Sequence, residues 1–474
     1  MVFSSQIFLF IFLPFALLGY YLIRKDLRNL YLLIISFGFY AWAGPKLLLI
    51  LLASILINYL GGLLIAAVRK NTDGLKRAAV IILVILNILL LGYFKYFNFL
   101  AGTLNNISGL NIPLKDMAFV LGISFFTFSG ISYILDLNSG KIEPQKNPLK
   151  FSLYMSFFPK LIQGPISRYN DINKQITNRD ESVNKFALGA YRFVVGLAKK
   201  VVIADQLGVL VNQIYANPAV NNSLPVAWLG AIGYAFQIYF DFSGYTDMAI
   251  GLGKMFGFDL VENFNYPYIS TSITEFWRRW HITLGAWFRD YVFYKLEFKR
   301  RKVKILRQET NTLIVFFLTG LWHGAAWNYI IWGLWHGVFI VMESVFRSTK
   351  IKFHLPVYIK WLITMLALLI GWVLFRSPDL KYAGEYIGIM FGFVRSVNNG
   401  IPLSWYLNAK IATVLGVAGL ASVPWKIVFP SVVKRYEGTL ARIIFQDVSF
   451  VILLILSIIF VVSSSYNSFI YFKF

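Results

Sequence analysis

The sequence predicts an all-α, polytopic membrane protein: roughly 10–12 transmembrane helices, with re-entrant or interfacial helices around a central tunnel. Composition is the first reason: the 474 residues are 58% hydrophobic, 18% aromatic and only 14% charged, where soluble domains carry about 25% charged residues. Periodic spacing is the second. Apolar runs approaching or exceeding the length of about 20 residues that crosses a bilayer recur near 6–23, 30–44, 46–68, 77–97, 117–136, 226–253, 312–346, 357–376, 408–428 and 447–463. The third is where the net charge of +23 resides. Lys and Arg sit in short clusters between apolar runs, as the positive-inside rule distributes them, and this excludes a nucleic-acid reading. The chain reads as one membrane domain over 1–474, with N-terminal spans over 1–140, a core over 150–346 and C-terminal spans over 357–474.

In chain order, the first run follows Met-Val-Phe-Ser-Ser without a basic n-region or an A-x-A site, so it is expected to be a retained helix and not a removable signal. Basic clusters at Arg24–Arg28, at Arg69–Lys70 with Lys76–Arg77, and at Lys141–Lys150 fall after one, three and five crossings. That parity predicts an extracytoplasmic N-terminus. Asn58 and Asn87 interrupt apolar spans and are expected to hydrogen-bond helices together. Lys95, in YFKYFNF, is expected to snorkel from a span end. Between 150 and 225, Pro159, Gly164 and Pro165 break the pattern, and YRFVVGLAKKVVIADQLG is too charged for a lipid-facing span. Irregular backbone at membrane depth needs surrounding protein or a wet cavity, so re-entrant or interfacial helices are expected here. In QIYFDFSGYTD, Asp241 either orients a histidine or caps a helix broken at Ser243-Gly244.

Three of the four histidines, His281, His323 and His336, follow a tryptophan. Histidine is the side chain suited to proton transfer near neutral pH, and here it lies in very apolar sequence. Asn265 to Pro267 reads as a turn, followed by a helix start at 270–274 with Glu275 in its first turn. In one continuous helix, Trp277, Trp280, His281, Leu284, Phe288 and Tyr291 would form an aromatic stripe, with Arg278 and Arg289 aligned beside it. Those arginines would face lipid headgroups or a phosphate-bearing donor. Lys295 to Arg307 reads as a basic connection. GLWHG then occurs at 320–324 and again at 333–337. Thirteen residues rotate a helix by about 1300°, which would leave His323 and His336 on opposite faces about 20 Å apart if the helix were continuous. A run from Thr312 to Phe346 is about 50 Å long as a helix, so a break is expected near Gly320, Gly324 and Asn328.

These strings resemble the membrane-bound O-acyltransferase (MBOAT) family, and within it the branch of the alginate O-acetylation membrane protein. The resemblance rests on MVFSSQIFLFIFLPF, GISFFTFSGISYILDL, FFPKLIQGPISRY, QIYFDFSGYTDMAIGLG, NFNYPYISTSITEFWRRWHITLGAWFRDY, GLWHGAAWNYIIWGLWHG and the ending YNSFIYFKF. It implies that His323, in the first WHG, is catalytic and that His281, in RRWH, is functionally important. It implies no catalytic role for His336, and His354 matches no motif. The implied activity takes an acyl group from a cytoplasmic thioester, acetyl-coenzyme A, and passes it across the membrane to esterify an exported or cell-wall polysaccharide. Such chemistry needs a base, an oxyanion stabiliser and exclusion of water. His323 is the expected base; Trp280, Trp322 or His281 could supply the oxyanion donor; and Arg278, Arg289, Asp241 and Asn328 complete the candidate substrate contacts.

No Gly-x-Ser-x-Gly elbow is present, which favours direct transfer over an acyl-serine intermediate. Absence of cysteine excludes disulfides and thiolate chemistry. No bound cofactor or metal is expected, because the histidines have no i, i+4 partner and no carboxylate cluster. Expected partners are the thioester donor, the polysaccharide acceptor, membrane lipids and a separate extracytoplasmic acetyltransferase or acceptor protein, since no stretch resembles a soluble carbohydrate-binding domain. The expected location is a bacterial inner membrane. D-alanyl transfer to teichoic acid, a polysaccharide or lipid transporter built on broken helices near 159–165 and 241–244, and a non-catalytic scaffold are the alternatives.

Overall fold

The computed structural model describes residues 1–68, 73–216, 223–348, 355–394 and 401–463. Arg69 and Lys70 of the second basic cluster, His354, and the terminal YNSFIYFKF lie outside the described residues. Every element among the described residues is helical. In chain order these are α1 (Leu13–Leu22), α2 (Arg28–Ala41), α3 (Pro45–Val68), α4 (Asp73–Leu91), α5 (Phe97–Ser108), α6 (Ile123–Asn138), α7 (Pro148–Ser156), α8 (Phe158–Leu161), α9 (Tyr169–Thr177), α10 (Val183–Ala198), α11 (Asp205–Ile214) and α12 (Leu224–Met255). There follow α13 (Ile273–Arg279), α14 (Ile282–Phe288), α15 (Tyr294–Lys299), α16 (Arg307–His323), α17 (Trp327–Ser348), α18 (Val357–Arg376), α19 (Leu380–Met390), α20 (Leu403–Tyr406), α21 (Ala409–Ala421), α22 (Trp425–Val428), α23 (Pro430–Tyr436) and α24 (Leu440–Ser463).

Five helical stretches among the described residues are long and apolar enough to cross a membrane: Pro45–Val68, Gly74–Ser108, Trp327–Ser348, Val357–Arg376 and Leu440–Ser463. Phe8–Leu22 and Ala409–Ala421 are apolar but shorter. Where Pro159, Gly164 and Pro165 interrupt the sequence, the chain forms the short helices α7, α8 and α9 in place of a plain crossing.

The described chain forms two compact units, Met1–Phe193 with Thr246–Glu262, and Val194–Tyr245 with Asn263–Phe474. In the first, Phe3, Phe8, Phe12, Phe39 and Phe158 form an aromatic core. Asn58 on α3 and Asn87 on α4 exchange two reciprocal hydrogen bonds of 3.0 Å, as expected of interhelical amides. A Cβ at Gly130 on α6 would lie 2.5 Å from the Asn58 amide nitrogen, so glycine makes room for the pair. Lys95 sits in a π-helical turn, Gly92–Tyr96. It lies inside the continuous run Gly74–Ser108, and its Nζ is 3.4 Å from Ser124 Oγ.

In the second unit, α16 and α17 form a tight hairpin. Glycine is what lets them touch: a Cβ at Gly320 would lie 2.3 Å from the Tyr329 carbonyl oxygen, and one at Gly333 2.2 Å from that of Phe316 and 3.0 Å from Gly320 Cα. The first residues of the two GLWHG copies therefore face one another.

α12 is a single 32-residue helix, and the expected break at Ser243-Gly244 is absent. Gly244 serves a close approach instead, since a Cβ there would lie 2.8 Å from the Gly196 carbonyl oxygen. Facing it, Lys199–Ala204 forms a π-helical turn that places Lys200 between Asp205, at 2.6 Å, and Asp241, at 2.7 Å.

Replacing Asn58 with Leu leaves the Asn87 amide buried without its partner and is expected to cost about 1–2 kcal/mol. Unfolding in detergent micelles checks this, and the Asn58→Leu/Asn87→Leu double variant should recover part of the loss. Gly333→Ala forces backbone apart and is expected to cost about 1–3 kcal/mol. Gly384→Ala, where an added Cβ meets nothing within 4 Å, should be neutral or slightly stabilising in the same measurement.

Candidate active site

The segment EFWRRWH begins as α13, whose start is capped twice. Ser272 Oγ accepts the Glu275 N–H at 3.0 Å. Glu343, from α17, accepts the N–H groups of Ile273 and Thr274 at 2.6 and 3.0 Å. A carboxylate at a helix N-terminus satisfies orphan donors and the helix dipole together. Burial raises the Glu275 carboxyl, but hydrogen bonds from Thr271 and Arg279 outweigh it and hold the group below the usual carboxylate range.

α13 then stops at Arg279, and one continuous helix through His281 is not formed. Trp280 is extended and His281 is left-handed, with φ 45° and ψ 52°, before α14 begins at Ile282. Non-glycine residues adopt this conformation only where surroundings enforce it, at a cost of about 1–2 kcal/mol. The neighbouring extended segment does so here. Asn265 N–H donates to Arg279 O at 2.9 Å, and Ile282 N–H donates to Asn263 O at 3.0 Å. The aromatic stripe is consequently divided. Trp280 turns toward Phe276, Phe264 and Trp372, with ring centroids 5.4, 5.1 and 4.9 Å away. His281, fully buried, turns toward Phe242 at 4.7 Å and Trp322 at 5.9 Å.

The expected break after His323 is present: α16 ends on His323, Gly324 is extended, and α17 starts at Trp327. A Cβ at Gly324 would lie 2.1 Å from the Tyr329 ring, so glycine admits the turn. With the helix reversed, His323 and His336 do not lie 20 Å apart on opposite faces. Counted from the Gly320–Gly333 contact, each is three residues away in opposite axial directions, about 9 Å apart along the hairpin. Both touch one indole: His323 lies 4.8 Å and His336 5.2 Å from Trp332, centroid to centroid. His323 also packs on Trp322 at 4.8 Å and Phe375 at 5.3 Å, whereas Trp277 and Phe276 cover His336 at 5.5 and 6.4 Å. The result is an alternating series, His281, Trp322, His323, Trp332, His336, with every member at most 4% exposed.

The remaining sequence candidates fall elsewhere. Asp241 is the ion-pair partner of Lys200, a buried charge that needs this ammonium to be tolerated. Asn328 donates through its amide to Ser377 O at 2.7 Å and Leu374 O at 3.4 Å, closing the C-terminal end of α18. Arg278 and Arg289 are both exposed, on different sides of the break, so their helical alignment does not apply; Arg289 pairs with Asp290 at 2.8 Å. No group of three or more metal-ligating side chains occurs among the described residues.

Sequence reasoning missed Asn263, Glu343, Trp332 and Phe375. The first two act across 18 and 70 residues of chain, a separation at which local periodicity carries no signal. An apolar cavity of about 480 Å³, lined by Phe236, Tyr268, Met365, Leu369, Trp372 and Val423 among others, borders the Trp280–Trp372 contact. None of its lining side chains is a carboxylate, a basic group or an imidazole.

The membrane-bound O-acyltransferase family model matches residues 37–377, a range that contains all three clustered histidines. The chain is 45% identical over 399 residues to the "Probable alginate O-acetylase AlgI" of Pseudomonas aeruginosa, covering 83% of this chain and 75% of that protein. It is 35% identical over 437 residues to the peptidoglycan O-acetyltransferase of Helicobacter pylori, covering 85% and 81%. To the teichoic acid D-alanyltransferase of Bacillus subtilis it is 32% identical over 261 residues, covering 53% and 64%. A helical, strongly apolar chain, imidazoles embedded among indoles away from water, and a family match over most of its length lead to one assignment: this protein belongs to the membrane-bound O-acyltransferase family and is a membrane-embedded enzyme of acyl transfer to hydroxyl groups.

Proposed function

We propose that this protein transfers acetyl groups from a cytoplasmic thioester donor of the acetyl-coenzyme A class to hydroxyls of an exported or cell-wall polysaccharide, with His323 as general base. The observation that carries the reading is the burial of His281 and His323 on the two sides of Trp322, in a cluster whose other walls are aromatic. The O-acetylation for which relatives aligned over 83–85% of the chain are named favours this reading; the D-alanyltransferase likeness spans 53%.

In this mechanism the imidazole of His323, acting in its neutral form, takes the proton of the attacking hydroxyl. The hydroxyl oxygen forms a bond to the acetyl carbon, the carbon–sulfur bond breaks, and the thiolate leaves and recovers a proton. Indole N–H groups of Trp322 and Trp332 supply dipoles for the developing oxyanion. Aromatic walls exclude the water that would hydrolyse the donor. A transporter needs no such base, and its second broken helix is absent because α12 runs unbroken through Ser243-Gly244. The reading places the enzyme in a bacterial inner membrane, with a separate extracytoplasmic protein completing delivery to the polymer.

Proteoliposomes containing labelled acetyl-coenzyme A and a polysaccharide acceptor test this. His323→Gln, inserted at wild-type levels, is expected to lower transfer by about 10²–10⁴-fold. Full acetylation by that variant would sink the mechanism, and turnover only with a D-alanyl carrier protein would replace the donor.

A further inference from the structure

His281 makes one side-chain hydrogen-bonding contact of known partner among the described residues: its Nδ1 lies 3.2 Å from Asn263 Oδ1. By itself that contact leaves the proton's position open, because a neutral imidazole can donate or accept at either nitrogen and an amide can be turned end for end. A third group removes the ambiguity. The backbone N–H of Thr283 points at the same Asn263 atom from 3.1 Å, and Thr283 Oγ1 lies 2.8 Å from it. A backbone N–H can only donate, so the atom it meets must be the amide oxygen; turning the amide would set two N–H donors against each other inside the protein. An oxygen can only accept, so His281 Nδ1 must carry the proton. Its Nε2 is then the lone-pair nitrogen, fully buried and without a hydrogen-bond partner among the described residues.

We infer that Asn263 is a positioning residue that locks His281 as the Nδ1–H tautomer, so that Nε2 can act only as a hydrogen-bond acceptor and not as an oxyanion donor. The inference rests on the acyl-transfer reading above and divides its labour. The proton of the attacking O–H stays with His323, His281 Nε2 accepts a hydrogen bond from a neighbouring hydroxyl of the acceptor beside Trp322, and the oxyanion is left to N–H donors such as the indoles. The same asparagine fixes the backbone, since its carbonyl takes the Ile282 N–H that stabilises the left-handed turn at His281. One residue thus sets both the direction of the imidazole and the nitrogen that is basic.

The chain contains only four histidines, so ¹⁵N-histidine labelling of the detergent-solubilised protein gives few signals, and His281→Gln identifies the one that matters. The expected spectrum shows His281 protonated at Nδ1. Asn263→Ala should yield a mixture of tautomers and at least a tenfold loss in kcat for acetyl transfer, and Asn263→Asp, which keeps an acceptor oxygen in place, should restore the Nδ1–H form and much of the rate. A wild-type His281 protonated at Nε2 overturns the inference, and so does an Asn263→Ala protein with wild-type kcat. The spectrum decides the tautomer without any substrate. If no thioester and hydroxyl pair is turned over by the wild type while His281 is found in the Nδ1–H form, the acyl-transfer reading fails and with it the role given to Nε2, and the tautomer lock alone stands.

Discussion

Polar groups inside an apolar interior must find partners or stand at a cost, and that constraint orders much of this architecture. Where 58% of the residues are hydrophobic, burying one more leucine distinguishes few arrangements, but an unpaired amide or charge in an apolar interior costs several kcal/mol. Several internal polar side chains therefore select their neighbours. Lys200 brings together a π-helical turn and α12 through Asp205 and Asp241. Asn58 and Asn87 fix α3 against α4. Glu343 fixes α17 against the start of α13 through three donors. Asn263 fixes the turn that carries His281.

The same constraint separates what could be read in the chain from what could not. Composition and run length established the all-helical membrane class, and the glycines around His323 marked a real break, because a helix of about 50 Å has no place in one bilayer. Asn58 and Asn87 were legible since an amide in an apolar run has few things to do. The failures share one cause. The stripe from Trp277 to Tyr291 assumed helical continuity through Trp280-His281, and the Ser243-Gly244 pair was expected to end a helix that continues through it. In both places a distant segment meets the chain: Asn263 and Asn265 enforce a left-handed residue in one, and Gly244 admits the Gly196 carbonyl in the other. Propensity carries no record of such contacts.

The doubled GLWHG shows how one sequence fact can support opposite geometries. On a single helix the 13-residue spacing separates the two histidines by rotation and rise. Once the chain folds back at Gly324, the two glycines become the crossing point of an antiparallel pair, and the histidines converge on Trp332. The repeat functions as a packing device whose small residues let backbones touch. His336 is then explained without catalysis: its Nε2 lies 2.9 Å from where a Cβ at Gly371 would be, so the imidazole fills the space between α17 and α18.

His281 and His323 differ from His336 in what holds them. His323 sits at the last turn of a helix, where the chain opens at Gly324, and His281 is mounted on a turn that costs energy to maintain. Strain of that kind persists only when surroundings over-determine it, and it concentrates where a side chain must point somewhere a regular helix would not send it. A helical His281 would follow Trp280 by about 100° around the same axis and could not diverge from it as widely. The left-handed residue lets Trp280 join the Phe276–Trp372 cluster while His281 joins Trp322. One residue's backbone angle thus divides the Trp280 cluster from the histidine–indole series, and the hydrogen bonds of Asn263 and Asn265 hold the turn in place.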